Sequence, residues 1–567
     1  MSPDNTARIS RTDVPHMKWW GWGIDGVSFS YADMPNFAPF IKRQVGLDLE
    51  TRVAQPAPSF DELDVPTSRI PDDLTNFLID VVGADNVVST AHERVLHGSG
   101  KSIRDLMYVR AGDFARLPDV VVYPASESEV AALVALAVAR DFVIIPFGGG
   151  SNIAGSLEPE LAEERTVVSL DMGRLNRVLD INAEAGLARV EAGVRGPDLE
   201  AQLKAAGWTL GHFPDSFSHS TLGGWVATRS SGMQSDRYGD IADMTKGLRV
   251  ARPDGILDLR PLPSTSTGPS LKEMILGSEG RLGVITEVTV QVHRVPEARE
   301  IRAYLFRTWA HGVAAMREIT QSGLPVTLTR VSDARETSFS FATSKASGGV
   351  AALVKKGLMR YLKARGWDLD AIALSFIGFE GSAQQIAAIQ KAVRRVVKKH
   401  EGISIGTGPG VLYDQKKFDT PYIRDFLLDR GGAADVSDTA APWELLTTMH
   451  ERVYAAAHGV FDQLGVRGWI MCHLSHSYRS GACLYFTFAF VEEGPPQIEN
   501  YDVVKNAVQQ AFVDVGGTLS HHHAVGVEHA PWLEDVLSPS GYRVVAGLLE
   551  SADPGRNLNP GKIVTVE

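Results

Sequence analysis

Three adjacent histidines, His521, His522 and His523, stand between Gly516-Gly-Thr-Leu-Ser520 and Ala524-Val-Gly526, and they concentrate in one place the side chains best able to move a proton near neutral pH. On an extended backbone successive side chains alternate faces, so the pattern predicts His521 and His523 on one side and His522 on the other. Three such rings cannot meet one metal without a sharp bend, and Asp514, Glu528 and His529 nearby fall at no recognised ligand spacing. The expectation is acid–base or phosphate-binding duty, with no metal.

A second kind of chemistry is suggested by Pro146-Phe-Gly-Gly-Gly-Ser-Asn152, where three consecutive glycines leave backbone amides bare enough to approach a phosphate. A Gly-rich turn reads the same way. The glycines are contiguous rather than spaced G-x-G-x-x-G, and Ile153-Ala-Gly-Ser-Leu-Glu158 follows without a clear helix, so this is not the Rossmann fingerprint. Pro214-Asp-Ser-Phe-Ser-His-Ser-Thr-Leu-Gly-Gly-Trp225, Thr228-Arg-Ser-Ser-Gly232 and Gly277-Ser-Glu-Gly-Arg-Leu-Gly-Val-Ile285 are similar stretches of glycines and hydroxyls. Singly each is turn chemistry; four in one region offer many donors to an anionic or heteroaromatic ligand.

Two arginines and a tyrosine complete the candidates. Arg330 lies in Leu328-Thr-Arg-Val-Ser-Asp333 and Arg424 in Tyr422-Ile-Arg-Asp425, where an arginine beside an aspartate commonly forms a surface pair. Tyr485 falls in the apolar run Cys483 to Phe490, which reads as a core strand. The tryptophans of Met17-Lys-Trp-Trp-Gly-Trp-Gly23 read as buried anchors, and Cys472 and Cys483 as packing residues.

These residues need a scaffold, and the hydrophobic periodicity supplies one. A buried strand over Asp119–Pro124, a helix from Glu127 to Arg140 opened by Ser126, and a strand from Phe142 to Pro146 lead into the triple-glycine loop. A helical pattern begins at Pro71, and further strands are read at Ile285–Val292, Ile372–Phe379 and Ala482–Phe490. Boundaries are placed at 1–115 for an N-terminal extension, 116–297 for the ligand-binding domain, 298–500 for a second, cap-like domain and 501–567 for a C-terminal segment. The chain of 567 residues is 44% hydrophobic and 22% charged with net charge −12, which argues against a general nucleic-acid binder. Two cysteines make no disulfide framework, and the longest apolar run, Val130–Ala139, is about half of what a spanning helix needs. With neither a signal peptide nor a peroxisomal address read at either end, a cytoplasmic location is expected.

In their order, the glycine loop, the Pro-Asp-Ser segment with Thr-Leu-Gly-Gly, and Gly-Ser-Glu-Gly-x-Leu-Gly-Val-Ile resemble the FAD-binding domain of the vanillyl-alcohol-oxidase family of flavoproteins. The resemblance implies an α+β fold: a two-subdomain FAD-binding domain, an α+β cap domain and a helical N-terminal extension. It implies that FAD rests on Pro146, Phe147, Gly148, Gly149, Gly150, Ser151 and Asn152. Further contacts would come from Pro214, Asp215, Ser216, Phe217, Ser218, His219, Ser220, Thr221, Gly223 and Gly224, from Thr228, Arg229, Ser230 and Ser231, and from Glu279, Gly280, Arg281, Leu282, Gly283, Val284 and Ile285. The closing Asn557-Leu-Asn-Pro-Gly-Lys562 is the motif by which members return their C-terminus to the FAD domain.

Ser520-His-His-His-x-Val-Gly526, together with the surroundings of Arg330, Arg424, Ala441-Pro-Trp443 and Tyr485, is similar to the ether-lipid-forming branch of that family. What that likeness implies is exchange of the acyl chain of acyl-dihydroxyacetone phosphate for a long-chain fatty alcohol through a flavin N5 adduct, without net redox. Tyr485 would handle the proton at C1, Arg424 would clamp the phosphate, Arg330 would support the geometry, and His521, His522 and His523 would line the site. Relatives with a Glu-His-Gly pattern at the histidines act on 2-hydroxy acids, which keeps an FAD-dependent hydroxy-acid dehydrogenase or oxidase as the alternative. Ala524 departs from the glycine that the eukaryotic members of the branch carry after the third histidine. A homodimer is expected, as is peripheral contact with a membrane surface. For the latter, Gly349–Trp367 reads as a helix with Leu353, Val354, Leu358, Tyr361 and Leu362 on one side and Lys355, Lys356, Arg360, Lys363 and Arg365 mostly on the other, a pattern that fits a membrane surface and equally an ordinary helix with its apolar face on the core. Lys391–Lys399 is a weaker pattern of the same type, read as a solvated face.

Overall fold

The computed structural model describes residues 17–345, 349–416 and 418–565, with the backbone alone for 349–355 and 416. The helix Glu127–Arg140 is opened by the Ser126 hydroxyl, which accepts the Glu129 amide at 3.3 Å. Its apolar residues recur at i, i+3, i+4 and i+7, so Val130, Leu133, Val134 and Ala137 fall on one stripe and are fully buried. They pack on Val120, Val122, Ile144 and Val168 of a four-stranded sheet ordered Val87–Val88, Val120–Val122, Val167–Asp171, Val143–Phe147. The triple-glycine loop leaves the last of these strands.

A five-stranded antiparallel sheet follows, ordered Val178–Asn182, Leu187–Glu191, Val284–Gln291, Thr245–Arg252, Gly255–Leu259. It builds a separate core with Trp208, Trp225 and the short helix Leu222–Thr228. The third unit is a seven-stranded sheet, antiparallel throughout, ordered Ile403–Gly406, Ala298–Phe306, Ala373–Gly381, Leu328–Ser332, Gly468–Ser477, Gly481–Val491, Gly432–Pro442. Helices Trp309–Gln321, Ala383–Lys399, Leu446–Leu464 and Ile498–Val515 bury its other face with Phe486, Phe488 and Phe490.

The Gly349–Ala364 helix forms, but Leu362 is fully buried and Leu358 packs beside it on Trp367, Ile372 and Leu374, while Tyr361 is 55% exposed. Of the two readings of this helix, the core-packed one describes Leu358 and Leu362, which the sheet takes, and solvent is left with Lys356, Arg360, Lys363 and Arg365. Leu353, Val354 and Lys355 lie outside the residues whose side chains are described. In Ala383–Lys399, Ile386, Val393 and Val397 face the core and Lys399 pairs with Glu318 at 2.7 Å, a solvated basic face.

The C-terminus returns to the first sheet. Ile144 donates its amide to Asn557 O at 2.7 Å and accepts the Asn559 amide at 2.9 Å, which adds Leu558 as a parallel bridge beside the strand that carries the glycine loop. The Asn557 amide group donates to Ala137 O and Phe142 O at 3.2 and 2.9 Å, and Asn559 donates to Ser156 O and Glu279 O at 3.0 and 2.6 Å. Replacing Asn557 by Ala leaves two buried carbonyls without these donors and is expected to cost roughly 2 kcal/mol of unfolding free energy, read from a denaturant titration of the holoprotein. A loss within error of zero would remove this strap from the account of stability.

Candidate active site

The glycine loop closes on the Pro214–Ser220 segment because Gly149 has no side chain: a Cβ there would lie 1.6 Å from His219 O. Gly150, at φ +64, turns the chain where an L side chain is strained. Among the described residues the amides of Gly148, Gly149, Gly150 and Ser151 make no hydrogen bond within the protein. Buried amides left free along a glycine cradle fit a phosphate-bearing cofactor.

They open on a cavity of about 340 Å³ walled by Pro146–Asn152, by Pro214, Asp215, Ser216, Ser220, Thr221, Gly223, Gly224, Thr228 and Ser230, and by Glu279, Gly280, Gly283, Val284 and Ile285. Ser231 borders a small adjoining cavity. Six expected contacts fall elsewhere. Phe217 and Leu282 belong to the core of the five-stranded sheet, and Ser218 is exposed. Arg229 points outward to Glu273 at 3.0 Å, and Arg281 is buried off the cavity. His219 packs its ring on Trp22 at 5.6 Å; the indole itself borders the cavity, so Trp22 is both anchor and wall. The Glu279 carboxylate is committed to the protein, accepting from Ser156 Oγ at 2.5 Å, from the Val525 amide at 2.9 Å and from the Gly526 amide at 3.0 and 3.1 Å. It ties the glycine loop to the chain just beyond the histidines.

The opposite wall is the seven-stranded sheet, and strand periodicity sets what it presents. In Gly481–Val491 the alternate residues Phe486, Phe488 and Phe490 go to the helix-covered core, so Tyr485, Thr487, Ala489 and Val491 line the cavity. Tyr485 is therefore no core tyrosine. Strand pairing places Asp438 and His473 on either side of Tyr485, Val436 and Met471 beside Thr487, and Ala434 and Trp469 beside Ala489. The surface is polar in its first tier and apolar in the next two, and it continues onto Phe40, Ile41 and Val45 of the N-terminal helix Phe37–Val45 and onto Phe339.

Asp438, which no sequence motif singled out, organises the histidines. Its two oxygens accept Nδ1 of His522 at 2.9 Å and Nδ1 of His523 at 2.8 Å, and one also accepts the amides of His521 and His522 at 3.0 and 2.8 Å. The segment is bent around this carboxylate rather than extended, which corrects the alternating-face expectation: His522 and His523 both face the cavity, and His521 lies one layer behind. With Nδ1 engaged, Nε2 of each cavity histidine is the atom left for a ligand. Burial works to raise the Asp438 pKa, but His523 and His522 together hold it well below the carboxylate range. Burial would lower His522, and Asp438 outweighs it, so its pKa lies above the ordinary imidazole value.

Arg424 is not a surface pair. Its side chain is 12% exposed, it donates to Lys101 O, and Nη2 makes only a long ion pair with Asp425 at 3.6 Å, while Nε and Nη2 have no hydrogen-bond partner. Asp425 instead accepts the Trp22 amide at 2.7 Å. Lys101 donates its own amide to Asn152 O at 2.6 Å, so the guanidinium is braced against the glycine loop. Arg330 donates to Glu336 at 2.6 Å and meets His473 at 3.2 Å, one layer from Tyr485, whose ring stacks on His473 at 4.9 Å. Burial favours a neutral Glu336, yet His473 and Arg330 hold its pKa at about 2.

Among the described residues two groups of side chains bring possible metal ligands within 4.8 Å of one another: His476, Cys483, His521 and His522, and Asp438, His522 and His523. In the first, both ring nitrogens of His476 are engaged, by Ser475 Oγ at 2.8 Å and Gly232 O at 3.0 Å. A hydrogen-bonded network accounts for it. Asp438, His473 and Glu336 escaped the sequence reading; the available signal was the pair of acids, Asp435 and Asp438, inside a strand otherwise made of small residues.

The fold and cavity define an FAD-binding protein with an oxidase-type cap. Residues 118–259 match the FAD binding domain family and 295–563 match the C-terminal domain of FAD linked oxidases. The solved p-cresol methylhydroxylase shares this fold at 16% identity, with TM-score 0.66 over 90% of this chain and 99% of that one. A solved alkyldihydroxyacetonephosphate synthase is 36% identical with TM-score 0.84, covering 96% and 99% of the two chains. The alkyldihydroxyacetonephosphate synthase of Dictyostelium discoideum is 38% identical over 97% of this chain and 93% of its own length. The chain belongs to the alkyldihydroxyacetonephosphate synthase family, and its cofactor is FAD.

Replacing Asp438 by Asn keeps the shape and removes the charge that raises His522. The acid limb of the activity profile, where that histidine must lose its proton to act as a base, is expected to move to lower pH, with turnover falling roughly 100-fold or more. In the wild type the Asp438–histidine contact is most stabilising between the two titrations. It weakens as pH falls through the depressed Asp438 value or rises through the raised His522 value. An unchanged pH profile with full turnover would deny Asp438 this part.

Proposed function

We propose that the chain exchanges the acyl chain of acyl-dihydroxyacetone phosphate for a fatty alcohol, giving the alkyl ether and the free fatty acid with no net redox change. The observation that carries this reading is the tiered cavity wall. Tyr485, His522 and His523 stand together at the polar end of this wall, backed by Asp438 and His473, and Val436, Thr487, Met471, Ala434, Ala489 and Trp469 continue from them as a surface suited to an alkyl chain. Each methylene buried there contributes about 0.8 kcal/mol. A 2-hydroxy-acid dehydrogenase has no use for that apolar length.

FAD supplies an electron-accepting ring that lets departure of the carboxylate and entry of the alcohol be separate steps. The free amides of Gly148–Ser151 would hold its phosphates. Arg424 borders the cavity with Nε and Nη2 free of hydrogen bonds within the protein, which makes it the cation for the substrate phosphate. Burial first, then the Asp215 and Asp438 charges, keep the Tyr485 hydroxyl protonated well above its ordinary range, a state suited to returning a proton to C1. His522 and His523 take the proton of the incoming alcohol through Nε2.

Palmitoyl-dihydroxyacetone phosphate incubated with the holoprotein and labelled hexadecanol is expected to give labelled alkyl lipid, and flavin bleaching by lactate or glycolate without such product would favour the dehydrogenase. Arg424→Lys keeps the charge and loses the two-pronged contact. Activity should fall roughly 10- to 100-fold with flavin retained, since a charge-assisted hydrogen bond contributes about 1.5–3 kcal/mol. Near-normal activity would take the phosphate from Arg424.

The same reading includes peripheral contact with anionic lipid through the solvent-facing Lys356, Arg360 and Lys363, and assembly as a homodimer. Reversing these three residues to Glu is expected to weaken cosedimentation with phosphatidylserine vesicles at low salt, each basic residue contributing about 1 kcal/mol; equal binding by variant and wild type removes the helix from this part. Sedimentation equilibrium at a single protomer mass would remove the dimer.

A further inference from the structure

Behind the cavity histidines a chain of hydrogen bonds runs outward through residues that the substrate cannot touch. His522 Nδ1 meets His521 Nδ1 at 2.9 Å, His521 Nε2 meets Tyr478 Oη at 2.5 Å, and Tyr478 donates to Asp240 Oδ2 at 2.8 Å. One set of protons satisfies every link. Tyr478 donates to Asp240, His521 donates from Nε2 to Tyr478 Oη, and His522 Nδ1–H is shared between Asp438 and the lone pair of His521 Nδ1. That assignment leaves the His522 Nε2 lone pair facing the cavity.

The outer end approaches solvent. Tyr478 begins the turn between strands Gly468–Ser477 and Gly481–Val491, whose next residues Arg479 and Ser480 are exposed, and Asp240, which accepts from Tyr478 on Oδ2, is half-buried. We propose that Tyr478 and Asp240, through His521, form the exit by which the alcohol's proton leaves the apolar cavity for water.

The inference rests on the exchange reaction above, and the chemistry requires such an exit. The ester C1–O pair departs with the carboxylate, the O–H pair of the alcohol becomes the new C1–O bond, and one proton is left over in each turnover. It is released beside alkyl chains, where no water carries it away. His522 Nε2 takes it, His522 Nδ1–H passes to His521 Nδ1, His521 Nε2–H passes to Tyr478 Oη, and the Tyr478 proton passes to Asp240. Each imidazole receives on one nitrogen and gives from the other, and Tyr478 Oη receives on a lone pair as its own proton leaves, so no bond rotates until the chain resets. Burial, with His522 beside it, lowers the His521 pKa to about 4, which keeps that ring neutral and able to accept and donate at once.

Tyr478→Phe removes one hydroxyl and breaks the chain. Two reactions of the holoenzyme separate this role from a structural one. Exchange of labelled palmitate into palmitoyl-dihydroxyacetone phosphate involves no alcohol, and formation of the alkyl ether from hexadecanol does. The variant is expected to retain palmitate exchange and FAD content, and to lose at least ~10-fold in kcat for ether formation with KM for hexadecanol little changed. Its solvent deuterium isotope effect should rise, and imidazole in the buffer should restore part of the rate. Asp240→Asn, which keeps a side chain able to cap the short helix Ile241–Met244, should show the same split. Unchanged ether formation in both variants would overturn the exit and mean that the proton leaves with the fatty acid. Equal loss of both reactions would reduce the pair to a structural part. Absence of either reaction in the wild-type protein would fail the parent reading instead.

Discussion

A carboxylate buried on a strand of small residues is the constraint around which the site is arranged. Isolated, Asp438 would be too costly to keep ionised at 1% side-chain exposure. It remains charged because two ring nitrogens and two backbone amides converge on it, and that convergence requires the chain at 521–523 to bend. The bend fixes which histidines reach the cavity and which one is left behind it. The demand of one charge for partners thus sets the division of labour among three identical side chains.

The same economy holds the two halves of the molecule in register. Glu279 spends its carboxylate on Ser156, Val525 and Gly526, and Asn559 bonds the carbonyls of Ser156 and Glu279. The loop after the triple glycine, the loop of Glu279 and the segment carrying the histidines therefore share buried polar partners. Moving any one strands a polar group belonging to another, which is how loops distant in sequence hold positions fine enough for chemistry.

Elements set by local periodicity were legible in the chain. The helix Glu127–Arg140 and the strands that follow it stand within a residue or two of where the pattern puts them, and the glycine loops do meet around one cavity. What was not legible depended on which face of a strand is already taken. Tyr485 reads as core because aromatic residues surround it; helices claim Phe486, Phe488 and Phe490, and alternation then delivers Tyr485 to the cavity. Arg424 reads as a surface pair until Trp22, some four hundred residues away, takes the aspartate beside it. The apolar side of Gly349–Ala364 fits a membrane as well as a core, and only the sheet beneath decides.

Ala524 shows how far such cooperation can go against local preference. It stands where the eukaryotic members of the ether-lipid branch carry glycine, and its φ of +78 lies in the region that L side chains avoid at a cost of roughly 1–2 kcal/mol. No local signal asks for that conformation. It is imposed from both sides: Asp438 fixes the histidines before it, Glu279 holds the Val525 and Gly526 amides after it, and His529 Nδ1 bonds the Ala524 carbonyl at 2.7 Å. With its neighbours anchored to different elements, the residue between them has one backbone path available. The methyl group is tolerated because the surrounding contacts together outweigh its strain, so the site's geometry does not depend on glycine at this position.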